Sequence, residues 1–129
     1  MPLCADSDIA VTASTDAASY PVGATPRLRM RIANSSTVPC RRNIGADVNE
    51  LVITSGATAV WSSDDCNPDG NAQLATLAPG QSYSVSVTWL GRLSAKGCPA
   101  SQPLAQKGTY KLVGRNGDVA SPGAVFVLT

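Results

Sequence analysis

The four cysteines are the residues of this 129-residue chain with the most definite chemistry. They are Cys4, Cys40, Cys66 and Cys98, so no pair has the close spacing of a zinc ribbon or a thioredoxin-type redox centre. An even number of dispersed cysteines in a small domain favours disulfides, which form in oxidising compartments. We therefore expect two disulfides, rather than four buried free thiols, and a location outside the cytoplasm.

Oxygen-bearing side chains alternate directly around and after the third cysteine. They match the first half of a calcium-binding loop, which has Asp or Asn at every second position: Asp65, Asn67, Asp69 and Asn71. The match ends there, because Thr76 stands where such a loop has its bidentate Glu. We expect a polar surface turn that binds no metal, with a calcium site as the alternative.

Groups able to act as a nucleophile or a general base are scarce. Histidine is absent and Glu50 is the only glutamate, which excludes Ser-His-Asp triads, Cys-His dyads and histidine-ligated metals. Asp64 could form a carboxylate pair with Asp65 or Asp69, but in a polar loop such groups stay solvated and keep ordinary pKa values unless a pocket desolvates them. We expect a protein that is not an enzyme and has no cofactor.

Arginines form a second candidate binding surface. Arg27, Arg29 and Arg31 alternate along one predicted strand, and Arg41 and Arg42 follow it. This set could bind an anionic wall polymer or an acidic partner; the alternative is a solvated outer face or a charged strand edge. The formal net charge of the chain is only +1, so we do not expect it to bind nucleic acid.

Strands must position these residues. Apolar and polar residues alternate with a period of two, turn signals separate the alternating segments, and no long amphipathic helix is predicted. The predicted strands are 8–14, 27–33, 50–54, 58–62, 82–90, 108–114 and 119–128. The pattern predicts an all-β, immunoglobulin-like Greek-key sandwich of about seven strands, forming one domain over residues 1–129, with a closed barrel as the alternative.

The strand order predicts the disulfide pairing. The first two strands should pair antiparallel, which brings Cys4, at the start of the first, beside Cys40, after the end of the second. Cys66 is then left to join Cys98 and to tie two long loops together. Each bridge closes a loop of some thirty residues, and such a bridge stabilises a domain by about 3–4 kcal/mol.

Three aromatic residues, Trp61, Tyr83 and Trp89, could form a stacking platform for a sugar. However, Tyr83 and Trp89 lie on the apolar face of the predicted strand 82–90. Because a buried aromatic side chain contributes a large apolar area to a core, we expect these residues to pack inside the sandwich.

Two resemblances are visible in the turns, aromatic residues and cysteines. From Arg27 onward the chain resembles the intracellular proteinase inhibitor domain of bacilli, an immunoglobulin-like sandwich. The segments that carry this resemblance are 31–34, 60–61, 77–82, 89–91 and 108–112. The whole chain is similar to extracytoplasmic domains of uncharacterised membrane-anchored actinobacterial proteins, through Pro39-Cys40, Trp61-Ser62-Ser63 and Gly97-Cys98. These resemblances imply a fold and no catalytic residue.

The first residues lack the charged and apolar regions of a signal peptide, and no apolar stretch reaches the ~18 residues of a membrane span. We therefore expect an excised ectodomain with an added initiator Met, and a membrane anchor in a segment outside this chain.

The expected function is that of a non-catalytic binding or structural module of a bacterial cell-envelope protein. It would contact another envelope protein or a wall polymer through the loops 41–48, 63–73 and 91–107. The alternatives are a proteinase inhibitor, with the loop 91–107 presented to an active site, and a calcium-dependent carbohydrate-binding module.

Overall fold

The computed structural model describes residues 1–129 and is all-β, apart from one 3-10 turn at Asp6–Asp8. The strands are β1 (Ile9–Thr15), β2 (Ser19–Tyr20), β3 (Arg27–Asn34), β4 (Cys40–Asn43), β5 (Asn49–Ser55), β6 (Thr58–Ser62), β7 (Leu74–Leu77), β8 (Ser82–Thr88), β9 (Gly108–Asn116), β10 (Val119–Ala120) and β11 (Ala124–Leu128). The prediction of about seven strands was too low, because the short β2, β4 and β7 were not predicted and the predicted strand 119–128 is divided into β10 and β11.

The strands form two larger sheets and one small one. The first sheet has the order β1-β3-β8, and the second has the order β2-β11-β9-β5-β6, with β10 paired to β9. β4 and β7 form a separate two-stranded sheet, and every pairing is antiparallel except that of β2 with β11. In β3 the inward-facing Leu28, Met30 and Ile32 are fully buried, while the arginines between them are exposed. The apolar side of β3 therefore faces the second sheet.

An aromatic cluster fills one end of the core. The rings of Trp89 and Phe126 meet edge to face with centroids 6.0 Å apart, and the ring of Tyr110 stacks on Phe126 at 5.6 Å. Such pairs stabilise a core by about 0.5–1.5 kcal/mol beyond the area that they bury. The expectation that Trp89 is a core residue agrees with its 1% exposure.

The predicted last strand, 119–128, is interrupted. Pro122 has no backbone N–H to donate to a ladder, and β10 and β11 lie on either side of residues 121–123. The Ser121 side chain compensates here, because its hydroxyl oxygen accepts a hydrogen bond from the amide of Gly114 at 2.9 Å.

Both disulfides are present, and they join Cys4 to Cys40 and Cys66 to Cys98, as the strand order predicts. No cysteine is free. Two disulfides in a chain of this size indicate an oxidising compartment. No helix of the length and apolarity needed to cross a membrane is present.

Candidate functional site

An open groove with a volume of about 810 Å³ runs along the inner side of β8. Its floor includes the buried side chains of Met30 and Leu51, one from each large sheet. Its walls include Tyr83 and Val85 of β8 and, from the second sheet, Trp61 of β6. A groove of this size with mostly apolar walls is typical of binding sites for small molecules and peptides.

The groove exists because the first sheet ends at β8. Residues of β8 that point inward therefore face the open side of the sandwich, where no further strand covers them. Tyr83 is 37% exposed and Trp61 is half-buried, whereas Trp89 is 1% exposed. The expectation that all three aromatic residues are core residues was wrong for Tyr83, since alternation predicts which face a residue is on and not whether the sheet continues.

The outer edge of β8 has unpaired backbone groups. At the two ends of the pairing with β3, the amide of Trp89 donates to the carbonyl of Pro26 at 2.9 Å and the amide of Asn34 donates to the carbonyl of Gln81 at 3.0 Å. Because hydrogen-bonded residues alternate in an antiparallel ladder, the odd-numbered residues of β8 bond to β3. The amides and carbonyls of the even-numbered residues therefore point away from the sheet: Ser82, Ser84, Ser86 and Thr88.

Residues from all three predicted binding loops line the groove. The loop 41–48 contributes Ile44, Gly45 and Ala46, the loop 63–73 contributes seven residues, and the loop 91–107 contributes Arg92 and Gln102. The structure thus brings the three loops together around one groove. The sequence did not indicate that they lie next to one another.

Two glycines let the first two of these loops cross at close range. A Cβ at Gly45 would collide with the backbone carbonyl of Asn71, and a Cβ at Gly70 would collide with the backbone of Ala46. Just before the crossing, the amide of Ile44 donates to the carbonyl of Gln73 at 2.8 Å. This crossing holds one end of the groove in place.

Three carboxylates, those of Glu50, Asp64 and Asp65, cluster beside the groove, and the first two belong to residues that line it. The hydroxyl of Ser62 donates to Glu50 Oε2 at 2.6 Å, and the hydroxyl of Ser94 donates to Asp65 Oδ2 at 2.6 Å. Burial, and then the charges of Glu50 and Asp65, raise the pKa of Asp64 above its ordinary value, while Arg115 acts in the opposite direction. Asp64 is therefore the exception that a desolvating pocket makes, because the groove wall removes part of its water.

The four residues of the predicted calcium half-loop have different surroundings. Asp65 is held by Ser94, Asn67 and Asn71 line the groove, and Asp69 is exposed. The structure contains no group of three or more Asp, Glu, His or Cys side chains that could hold a metal ion.

The five arginines do not form one surface. On the outer face of the first sheet, Arg29 Nη2 donates to the hydroxyl of Ser84 at 3.1 Å, and Arg31 Nε donates to the hydroxyl of Ser82 at 2.7 Å. These two side chains therefore reach across β8 toward its unpaired edge, and Arg27 is exposed on the same strand face.

The other two arginines belong to β4. Arg42 is largely buried and pairs with Asp6 at 2.8 Å, and its Nε donates to Asn116 Oδ1 at 2.6 Å. Arg42 therefore has structural contacts with Asp6 and Asn116, and the structure does not bring it together with the arginines of β3. Arg41 is exposed, and its Nε donates to the carbonyl of Met1 at 3.3 Å.

The solved structures that are similar to this chain share its fold at 8–12% sequence identity, so the similarity concerns the fold alone. No family model and no curated protein matches the chain. A β-glucosidase from Erythrobacter marinus is similar over 94% of this chain and 15% of its own, with a TM-score of 0.56 and 12% identity. A β-glucosidase from Listeria innocua is similar over 94% of this chain and 16% of its own, with a TM-score of 0.53 and 8% identity. An alkylpurine DNA glycosylase from Pseudomonas fluorescens is similar over 94% of this chain and 30% of its own, with a TM-score of 0.53 and 10% identity. The chain thus spans less than a third of each of these proteins.

Sequence reasoning missed the groove and the part that Glu50 has in it. The signal in the sequence was the apolar alternation of residues 82–90. This alternation does not reveal a groove, because the position of β8 at the edge of its sheet depends on the order of the strands. Glu50 was noted only as the single glutamate, and its place beside Asp64 depends on the pairing of β5 with β6, in which Val52 lies opposite Ser62.

Proposed function

We propose that this chain is a non-catalytic binding module of a bacterial cell-envelope protein. It works outside the cytoplasm, in a protein anchored to the membrane by a segment outside this chain. The observation that carries the proposal is the groove along β8, in which residues of three loops and two sheets converge. A function in binding follows because loops on a rigid scaffold are where partners are usually held.

The proposal includes an immunoglobulin-like Greek-key sandwich as the fold. In such sandwiches one sheet has strands A, B, E and D and the other has strands C, F and G. Here β1, β3 and β8 occur in the order of A, B and E, and β5, β9 and β11 in the order of C, F and G. Tyr110 supports the same assignment, because its hydroxyl donates to the carbonyl of Gln106, four residues upstream, at 2.6 Å.

The surroundings of the carboxylates support binding rather than catalysis. Glu50 is held by Ser62 and lies 3.5 Å from Arg115, and Asp65 is held by Ser94. A general base needs a free oxygen aimed at a substrate proton, but two of the three carboxylates are already committed to neighbouring groups. They serve better as fixed negative charge.

Pre-organisation of the loops also supports the proposal. The disulfide Cys66–Cys98 joins the loops 63–73 and 91–107, and the amide of Leu93 donates to the carbonyl of Pro103 at 2.8 Å across the base of the loop 91–107. Loops held in this way lose little conformational entropy when a partner binds.

The closed base of the loop 91–107 also favours a second candidate, the proteinase inhibitor. Its tip is exposed and carries Lys96 in a turn, closed by the amide of Cys98 donating to the carbonyl of Ala95 at 3.0 Å. The inhibitor hypothesis predicts that the chain inhibits trypsin-like proteases and that Lys96→Ala abolishes this inhibition. Unchanged protease activity with the chain in excess would overturn it.

Site-specific photo-crosslinking in the native cell envelope tests the main proposal. A benzophenone amino acid at Tyr83, on the groove wall, should yield a discrete covalent adduct with the partner. The matched control is the same amino acid at Val125, which is exposed on the outer face of the second sheet. Adducts from position 125 and none from position 83 would contradict a groove-based module, and hydrolysis of envelope polymers that Asp64→Asn abolishes would contradict a non-catalytic one.

A further inference from the structure

We propose that the groove takes an extended peptide of a partner protein, which pairs with the free edge of β8 as an additional strand. The peptide has apolar side chains at alternate positions facing the groove, a Lys or Arg that meets Asp64, and Asp or Glu facing outward toward Arg29 and Arg31. The inference rests on the proposed function, since it names the chemistry of the partner of that same groove.

The first support is the backbone of β8. Ser82, Ser84, Ser86 and Thr88 direct their amides and carbonyls away from the sheet, and β8 is the last strand of that sheet. Unpaired edges of this kind bind extended peptides through main-chain hydrogen bonds. The edge has no proline, and its outward side chains are short, so nothing on β8 itself hinders the approach of a strand.

The second support is the apolar wall below that edge. Tyr83, Val85 and Val87 line the groove, so alternate side chains of an added strand would continue the same apolar face. The seven residues of β8 extend over about 23 Å, which is enough to pair with six or seven residues of a peptide. In an immunoglobulin-like sandwich this is also the place of a fourth strand beside E.

The third support begins with the level at which the two sheets face each other across the groove. Met30 pairs with Val85 and packs against Gly114, which in turn pairs with Leu51. Leu51 therefore lies at the level of the middle of β8.

A carboxylate lies at that level on the groove wall. The amide of Ser63 donates to the carbonyl of Leu51 at 2.9 Å, and the next residue, Asp64, lines the groove. Glu50 faces the other side of its strand, because neighbouring strand residues point to opposite faces and Leu51 points inward. A cationic side chain of the peptide would therefore meet Asp64 and relieve the repulsion that contributes to its raised pKa.

The fourth support is positive charge on the outer side of the edge. Arg29 and Arg31 place their guanidinium groups on the hydroxyls of Ser84 and Ser82, and acidic side chains on the outer face of an added strand would lie next to them. The two faces of the strand site therefore prefer opposite charges, which specifies both the side and the register of the peptide.

Charge also argues against a second copy of this chain as the occupant. If two β8 edges paired, the arginines of both copies would lie on the same outer face, and like charges close together destabilise a sheet. The inward residues of the second β8 would be Tyr83, Val85 and Val87, which bring no cation to Asp64.

Selection from a displayed library of random 12-residue peptides, with the immobilised disulfide-bonded chain, tests the inference. Enriched peptides should alternate apolar and polar residues, with Lys or Arg among the inward positions and Asp or Glu among the outward ones. The affinity of a selected peptide is then measured by fluorescence anisotropy with N-methyl groups on alternate amides. Methylation of the set that faces β8 should weaken binding about tenfold or more, since each lost hydrogen bond is worth about 0.5–1.5 kcal/mol. Methylation of the other set should have no effect.

Matched variants of the protein test the same contacts from the other side. Ser86→Pro removes an outward amide without breaking a bond to β3, which an edge strand tolerates, and it should weaken binding by about tenfold; Ser86→Ala should bind as the wild type does. Asp64→Asn should weaken binding of Lys-containing peptides by about two- to fivefold, and Asp118→Asn, at an exposed site, should not. If Ser86→Pro fails to fold, the methylated peptides still decide the question.

Four results would overturn strand addition: enrichment of no peptide, enrichment without alternation, binding that neither methylated set weakens, or displacement of the bound peptide by a glucose oligosaccharide. A stable dimer that Ser86→Pro dissociates would assign the edge to a second copy and overturn it as well. A groove adduct in photo-crosslinking together with no selected peptide would support the binding module and contradict only strand addition. Failure of both experiments would contradict both the binding module and strand addition.

Discussion

Arg42 and Asn116 are joined by a hydrogen bond of 2.6 Å from Nε to Oδ1, although 74 residues separate them in the chain. Asn116 is fully buried, so this bond satisfies an oxygen that water does not reach. Arg42→Ala should lower the free energy of unfolding by about 2–3 kcal/mol, because it leaves that oxygen unpaired and removes a charged donor. Denaturant unfolding measures the loss.

Arg41→Ala is the matched control for this substitution. Arg41 is the preceding residue, and it is exposed, so its removal should change stability by less than about 0.5 kcal/mol. Equal effects of the two substitutions would contradict the structural role of Arg42.

The disulfide Cys66–Cys98 should stabilise the fold, but the chain should still fold when this disulfide is removed. It closes a loop with a sequence separation of 32, and the double substitution of both cysteines by Ala should lower stability by about 3–4 kcal/mol. It should also weaken partner binding, since the loops 63–73 and 91–107 would be less ordered. Thermal unfolding and the affinity of a selected peptide measure the two effects; a fully retained affinity would show that pinning the loops is not needed for binding.

The raised pKa of Asp64 predicts how stability depends on pH. Its folded-state pKa lies above the ordinary 3.8, so the folded protein holds this proton more tightly than the unfolded chain. The contribution to stability is therefore full below about pH 3.8 and is lost as the pH rises through the raised pKa. Asp64→Asn should raise the melting temperature at pH 7 and not at pH 3, and Asp118→Asn should not show this pattern.

The two tryptophans should differ in their importance to stability. Trp89 packs against Phe126 and is almost fully buried, so Trp89→Ala should cost about 3–5 kcal/mol. Trp61 stands on the groove wall, half-buried, and Trp61→Ala should cost only about 1–2 kcal/mol while it weakens peptide binding. Urea unfolding of both variants gives the comparison, and a larger loss at Trp61 would contradict an open groove.

Local patterning predicted the parts of this fold that depend on one strand or one pair of strands. The alternation of Leu28, Met30 and Ile32 predicted β3, and the antiparallel pairing of β1 with β3 predicted the disulfide Cys4–Cys40. The groove depends on where the first sheet ends, which is a property of three strands together. The crossing at Gly45 and Gly70 and the bond from Arg42 to Asn116 depend on contacts between distant segments, and residue type alone does not reveal them.

Native-state hydrogen exchange, followed by NMR, tests most directly the claim that β8 borders an open groove with a free edge. In the unbound protein the amides of Tyr83, Val85 and Val87 should exchange at least about tenfold more slowly than those of Ser84 and Ser86, because only the odd-numbered residues bond to β3. Addition of a selected peptide should then slow Ser84 and Ser86 as well. Equally slow exchange at all five amides in the unbound protein would show that the edge is already covered and would contradict the account.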